Sequence, residues 1–239
     1  MHVSLKYHKM KHYKHIFIDL DRTLWDFEAN SMETFREIYK KRDLAKIFTN
    51  FEQFHKTYRK YNRQLWEDYR DGKISKENLK YKRFYLTLAA YNYKDEDLAK
   101  KIGDDYIQIS ATKTQLFPYT HESLEYLLKK YSLHLITNGF EEVQYKKIKN
   151  CHLEKYFKNI ITSEKAGVQK PNEQIFNFAL KKAGAKSTES IMLGDDIEGD
   201  IKGAQSFGMD QILFNPDKKE FDIKPTYEIQ SLKELIKIL

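Results

Sequence analysis

The chain has 239 residues, 41% of them hydrophobic and 14% aromatic, enough to fill the core of one large domain or of a domain with a smaller insert. No apolar run approaches the ~20 residues of a membrane span, and the basic start MHVSLKYHKMKHYKH lacks the apolar stretch of a signal peptide, so a cytoplasmic protein with no membrane partner is expected. One cysteine excludes an internal disulfide, and the formal charge of +7 is unevenly spread: +4 lies in residues 1–18 and +6 in residues 36–63, while the remainder is net acidic by 3.

Residues 1–14 read as a basic, histidine-rich extension, where a disordered tail is expected ahead of a metal site at His2, His8, His12 and the adjoining His15. The segment HIFIDL (15–20) is a buried strand that ends on charge. From 28 to 110 the texture is helical: Phe51, Phe54, Tyr58, Tyr61, Leu65 and Tyr69 recur every three or four residues, as do Leu98, Ile102, Tyr106 and Ile109. DGKIS (71–75) interrupts that region, with Ser75 placed to cap the next helix. Beyond Pro118 helices and strands alternate: helix 120–131, strand 133–137, helix 141–150, strand 159–163, helix 172–183, strand 190–195, helix 199–207, strand 211–214 and a terminal helix. Such alternation implies a parallel sheet covered on both faces. The expected organisation is an α/β core built from 15–27 and 111–239, with a helical insert over 28–110 directly after the first strand. Cys151, in KNCHLEKYF, is expected to be a small, partly buried residue.

In an open parallel sheet, ligands bind beyond the C-terminal edges of the strands. Polar chemistry recurs there in this chain. Strand one runs into Asp19-Leu20-Asp21-Arg22-Thr23, the next into Thr137-Asn138-Gly139, a later one precedes Lys170-Pro171, and IMLG runs into Asp195-Asp196 with Asp200 close behind. Asp19, Asp21 and Asp195 offer the hard oxygen ligands that suit Mg²⁺. Without a cation, three adjacent carboxylates would repel one another and rise in pKa; with one, a member of the first pair can stay ionised as a nucleophile. Thr137 adds a hydroxyl, the N–H groups that open the following helix form an anion cradle, and Lys170 adds a point charge. Cations and donors arranged around an anion suit phosphoryl transfer.

DLDRT, ITNG, KP and GDDIEGD, in this order and spacing over residues 15–215, resemble the four motifs of the haloacid dehalogenase-like hydrolase superfamily. The resemblance implies a Rossmann-like parallel sheet with a helical C1 cap inserted after the first strand. TLWDF, LITNGF, KPNEQIFNFAL and GDDIEGDIKGAQSFGM look most like the pyrimidine-nucleotide 5′-nucleotidase branch. Carried over residue by residue, the resemblance makes Asp19 the nucleophile and Asp21 the acid and base. Thr137 and the N–H of Asn138 would hold the phosphoryl group, and Lys170 would neutralise charge beside Asp19. Asp19, the backbone carbonyl of Asp21, and Asp195 would bind Mg²⁺, supported by Asp196 or Asp200. Thr23 and, from the cap, Arg83 are expected to contact substrate. Arg22 and Asp196 stand where many relatives have glycine and serine, which leaves the ligand set of the last motif open. The dehalogenases of this superfamily carry no carboxylate two residues after the nucleophile; this chain has Asp21, as a phosphatase requires.

The implied activity is Mg²⁺-dependent hydrolysis of a small phosphorylated metabolite, a nucleoside 5′-monophosphate first, with a sugar-phosphate phosphatase or phosphomutase as the nearest rival. A nucleic-acid-binding protein is the distant alternative, disfavoured because acids interleave with the basic residues and no binding motif is present. A monomer or weak homodimer is expected.

Overall fold

A computed structural model describes residues 12–239, so most of the basic extension expected at 1–14 lies outside the described residues. The chain divides into two compact units, one formed by residues up to Asp26 together with Gln115–Leu239, the other by Phe27–Thr114.

The first unit is an α/β fold of the Rossmann-like kind. Its strands are β1 (His15–Ile18), β2 (Ser132–Thr137), β3 (Asn159–Thr162), β4 (Ser190–Gly194), β5 (Asp210–Phe214) and β6 (Tyr227–Ile229), all parallel in the order β3-β2-β1-β4-β5-β6. The apolar runs HIFI, LHLI and SIML are buried along nearly their whole length, as both faces of a helix-covered parallel sheet require. Register follows from this packing: Ile18 pairs with Leu135 on one side and Leu193 on the other. Asp19, Thr137 and Asp195 therefore leave the sheet at one edge. The strand order reverses direction at β1, so this edge is also the topological switch point, where a crevice forms.

In the second unit the helices are α1 (Phe27–Lys41), α2 (Phe51–Arg70), α3 (Lys76–Ala89) and α4 (Glu96–Ser110). Its core is aromatic: Phe35 packs against Phe54, Tyr58 and Tyr106 within a cluster that includes Phe48, Phe51 and Phe84. The stripe on α2 is realised by Phe51, Phe54, Tyr58 and Leu65, whereas Tyr61 and Tyr69 stay partly exposed. Ser75 accepts from the Asn78 amide (3.2 Å) and opens α3, and Asn50 does the same for α2 through Gln53 (2.8 Å). Asp105 in α4 neutralises Lys41 and Arg42 at 2.8 and 2.6 Å.

The remaining helices belong to the first unit: α5 (Thr120–Leu128), α6 (Glu141–Asn150), α7 (Ser163–Ala166), α8 (Glu173–Ala183), α9 (Gly203–Ser206) and α10 (Leu235–Ile238). The helix expected over 199–207 forms, but its first part, Ile197–Lys202, is π-type and only Gly203–Ser206 (α9) is α-helical. The Asp196 side chain caps its start, accepting from the Glu198 and Gly199 amides. The strand β6 has no counterpart in the sequence reading; only one of its three residues is buried. Cys151 is buried, and burial pushes its thiol up to about 11, so it stays protonated and inert.

Candidate active site

β1 delivers Asp19, whose amide extends the ladder by donating to Leu193 O at 2.9 Å and which as a residue is only 7% exposed. Lys170, carried on the loop before α8 and 3% exposed, places its ammonium between two carboxylates: Asp19 Oδ1 at 2.7 Å and Asp200 Oδ1 at 2.5 Å. Its third hydrogen bond goes to Ile136 O at 3.0 Å, so all three ammonium protons are used. The backbone of Lys170 is held as firmly. Asn138 donates from Nδ2 to Lys170 O (3.0 Å) and accepts at Oδ1 from Lys170 N (2.8 Å). The asparagine side chain thus locates the lysine, a task distinct from the one its N–H was expected to perform.

Asp195 and Asp200 come from the end of β4 and the turn after it. One carboxylate oxygen from each of Asp19, Asp195 and Asp200 lies within 4.8 Å of the others. Asp200 reaches this position because residue 194 is glycine: a Cβ there would collide with the Asp200 carboxylate. Asp200 is fully buried and also accepts from Asp196 N at 3.2 Å. The two candidates for supporting the fourth motif therefore separate geometrically: Asp200 joins the cluster, while Asp196 is turned away to cap. Thr23 is fully buried and donates to Asp195 Oδ1 at 3.4 Å; Thr137, 1% exposed, accepts at its hydroxyl from Gly139 N at 3.1 Å.

The electrostatics are those of a group of acids short of positive charge. Burial raises the Asp19 carboxyl above its ordinary value against the pull of Lys170. Asp195 is raised well above the ordinary value, first by burial and then by Asp19 and Asp200. Asp200 is likewise raised, by burial and by Asp19, with Lys170 opposing. Burial disfavours the Lys170 ammonium, but its two carboxylate partners outweigh this and hold it above the usual lysine range. Two buried carboxylates and a half-buried third, with one ammonium, leave room for a hard divalent cation. The donor set, all carboxylate oxygen at close mutual range, fits Mg²⁺.

Asp21 is treated differently. Its carboxylate faces α6, where Lys147 Nζ meets Oδ1 at 2.5 Å and Gln144 Nε2 donates to Oδ2 at 3.0 Å. Neither residue was expected at the site. The available signal is that Gln144 and Lys147 share the buried face of α6 with Val143 and Ile148, positions where an amphipathic helix would be apolar.

Residues 13–208 match the family model for haloacid dehalogenase-like hydrolases. The chain belongs to that family. This hydrolase is 31% identical to YfnB of Bacillus subtilis (strain 168) over 233 residues, covering 96% of this chain and 97% of YfnB. It is 29% identical to the pyrimidine 5′-nucleotidase PynA of Streptococcus pneumoniae, covering 95% of each, and 31% identical to the pyrimidine 5′-nucleotidase YjjG of Escherichia coli (strain K12), covering 94% of this chain and 96% of YjjG. The crystal structure of YfnB bound to magnesium superposes with a TM-score of 0.87 at 30% identity, covering 95% of this chain and 99% of that one.

Arg83 of the hydrolase, the residue expected to contact substrate from the helical unit, is 3% exposed on α3. Its Nη1 donates to Asn62 Oδ1 at 2.9 Å and its guanidinium lies over the rings of Tyr106 and Phe84, at 4.9 and 5.1 Å. Its Nε is buried with no hydrogen-bond partner. Among the described residues no helix is long and apolar enough to cross a membrane.

Proposed function

We propose that this hydrolase is a Mg²⁺-dependent phosphomonoesterase that works through an aspartyl-phosphate on Asp19, with nucleoside 5′-monophosphates as its substrates. The observation that carries the reading is the Asp19–Lys170–Asp200 triad with Asp195 beside it, at the switch point of the sheet and with a second carboxylate, Asp21, two residues from the first.

Lys170 keeps Asp19 oriented by one oxygen, which leaves the other to attack phosphorus. As the Asp19 oxygen–phosphorus bond forms, the ester oxygen–phosphorus bond breaks, and the departing oxygen takes a proton from Asp21. Water then gives a proton to Asp21 and attacks the same phosphorus. The bond to Asp19 breaks, inorganic phosphate leaves, and both aspartates return to their starting states. Thr137 and the N–H of Asn138 hold the equatorial oxygens, and Thr23 steadies Asp195. Asp19, Asp195 and the backbone carbonyl of Asp21 would hold Mg²⁺, which supplies charge neutralisation for the phosphoryl oxygens when bound.

The pyrimidine 5′-nucleotidases among the relatives support a nucleotide as substrate. The partner is then a small phosphorylated molecule, with no role for nucleic acid.

Phosphate release from a panel of nucleoside monophosphates and sugar phosphates, with Mg²⁺ and with chelator, tests the reading. Metal-dependent turnover with pyrimidine nucleotides favoured, abolished in Asp19→Asn, is expected. Turnover confined to sugar phosphates would overturn the nucleotide assignment, and an Asp19→Asn protein of full activity would overturn the mechanism.

A further inference from the structure

We propose that Lys147 and Gln144 are positioning residues that aim the Asp21 carboxylate; the proposal rests on the reading of Asp21 as the acid and base. Asp21 sits on the irregular segment after β1, where no regular ladder or helix restrains its side chain, which is 21% exposed. An aspartate there has rotational freedom about both side-chain bonds. The reaction asks it to meet the departing ester oxygen in the first half and a water in the second, so that freedom has a direct cost in rate. α6 removes it. Gln144 and Lys147 are three residues apart, hence on one face of the helix, and each takes a different oxygen of the same carboxylate. Two donors from one rigid element fix both the position and the plane of the group.

The two donors are themselves fixed. Lys147 is 4% exposed and its ammonium lies 3.6 Å from the centre of the Trp25 ring, which is 1% exposed. Trp25 in turn closes the loop that bears Asp21: its N–H donates to Leu20 O at 2.8 Å, and its carbonyl accepts from Arg22 N at 2.9 Å. Aspartate, lysine and tryptophan thus brace one another across a single turn of chain. Gln144, 2% exposed, reaches Asp21 past residue 139, where a Cβ would collide with the Gln144 amide; glycine there clears its path. The Gln144 carbonyl oxygen is buried without a partner, so the amide is held for its donor end at a cost the fold gains nothing from elsewhere.

A purely structural brace and a positioning device differ in which substrates they affect. Lys147→Met keeps the alkyl stem on Trp25 and removes the ammonium; Gln144→Leu removes the amide with no change of charge. Each is assayed as kcat/KM on p-nitrophenyl phosphate, whose phenolate departs without a proton, and on the alkyl phosphomonoester that the wild type turns over fastest. This parameter reports events up to the first cleavage, before the common hydrolytic step. A general acid contributes about 10²–10⁴-fold, so imperfect aim is expected to lower alkyl-ester kcat/KM about 10- to 100-fold while the aryl ester changes less than about threefold. Asp21→Asn is run alongside. If it discriminates between the esters and the two α6 variants do not, the positioning proposal is overturned and the acid role stands. If Asp21→Asn affects both esters alike, the acid role falls and the proposal with it. A rise in alkyl-ester kcat/KM in the α6 variants would mean that the pair withholds Asp21, which also overturns it.

Discussion

Lys170→Met should destabilise the metal-free protein by an amount that grows with pH. The ammonium bridges Asp19 and Asp200 at 2.7 and 2.5 Å, and both carboxylates are buried. Removing one partner of a buried ion pair costs about 3–5 kcal/mol, because the survivor is left charged in a poor solvent. Protonation offers an escape, and its cost sets the scale. Holding a carboxyl of ordinary value 3.8 in its acid form at pH 7 costs about 4 kcal/mol, and at pH 5 about 2 kcal/mol. The two routes agree in size, so the variant should take up about one more proton on folding than the wild type does. The sign follows: the folded variant holds more protons than its unfolded chain, so its stability falls as pH rises. Urea unfolding in chelator at pH 5, 6 and 7 should show the gap to wild type widening by about 1.4 kcal/mol per pH unit. A gap that is below about 1 kcal/mol at pH 7, or that is constant across the range, would refute the claim that this ammonium is the counter-charge of the site.

Two further predictions use the same logic. Asp19, Asp195 and Asp200 are all raised above their ordinary values, so the metal-free wild type should itself lose stability as pH climbs from 4 toward 7. Mg²⁺ at a fixed concentration, a hundredfold its Kd at pH 7.5, should restore about 2.7 kcal/mol at that pH and less at pH 5, and a melting temperature indifferent to Mg²⁺ at every pH would count against the metal site. His134 slopes the other way. It is fully buried, its Nε2 lies 3.1 Å from His15 Nδ1, and its Nδ1 lies 2.9 Å from the Asn159 amide nitrogen, so a second ring proton would face a donor. Burial, and then His15, lower it from 6.5 to about 4; the unfolded chain therefore takes up the proton first, and stability falls on acidification. That ring alone should remove about 2 kcal/mol between pH 7 and pH 5. His134→Leu, compared with wild type in saturating Mg²⁺, should flatten this limb, and an unchanged slope would exclude the histidine as its source.

Most of the fold was legible because burial on both faces forces long apolar runs, and those runs are what periodicity detects. HIFI, LHLIT and SIMLG announce themselves; Tyr227–Ile229 does not, having one buried residue on an edge strand flanked by polar chain. After β4 the helical spacing of GDDIEGDIKGAQSFG is realised, but the π-type geometry of its first part is not legible: the Ile201 amide bonds to Asp196 O, five residues back, and such a widening leaves no periodic trace. At the site, charge at strand ends was readable, and so was the prospect that the sheet would gather it. Lys147 and Gln144 were not, since a lysine or glutamine on a helix reads as solvated unless the partner across the loop is already known.

Gly194 ends β4 and Gly139 lies two residues beyond β2, and turn chemistry accounts for either without reference to a site. Neither has a positive φ, so conformational freedom is not what glycine provides here. Each leaves empty the volume that a side chain from the next helix or turn then occupies: Gln144 at Gly139, Asp200 at Gly194. Two polar groups of the site, the Gln144 amide beside Asp21 and the Asp200 carboxylate on Lys170, are thus admitted by absent methyl groups. Alanine at 194 would displace a carboxylate that Lys170 already holds, and alanine at 139 would push the Gln144 amide off Asp21. The two halves of the site, the cluster around Asp19 and the brace around Asp21, are therefore separable by single methyl groups at the C-terminal ends of β2 and β4, the strands on either side of β1. That separation allows Asp19 and Asp21 to be perturbed one at a time.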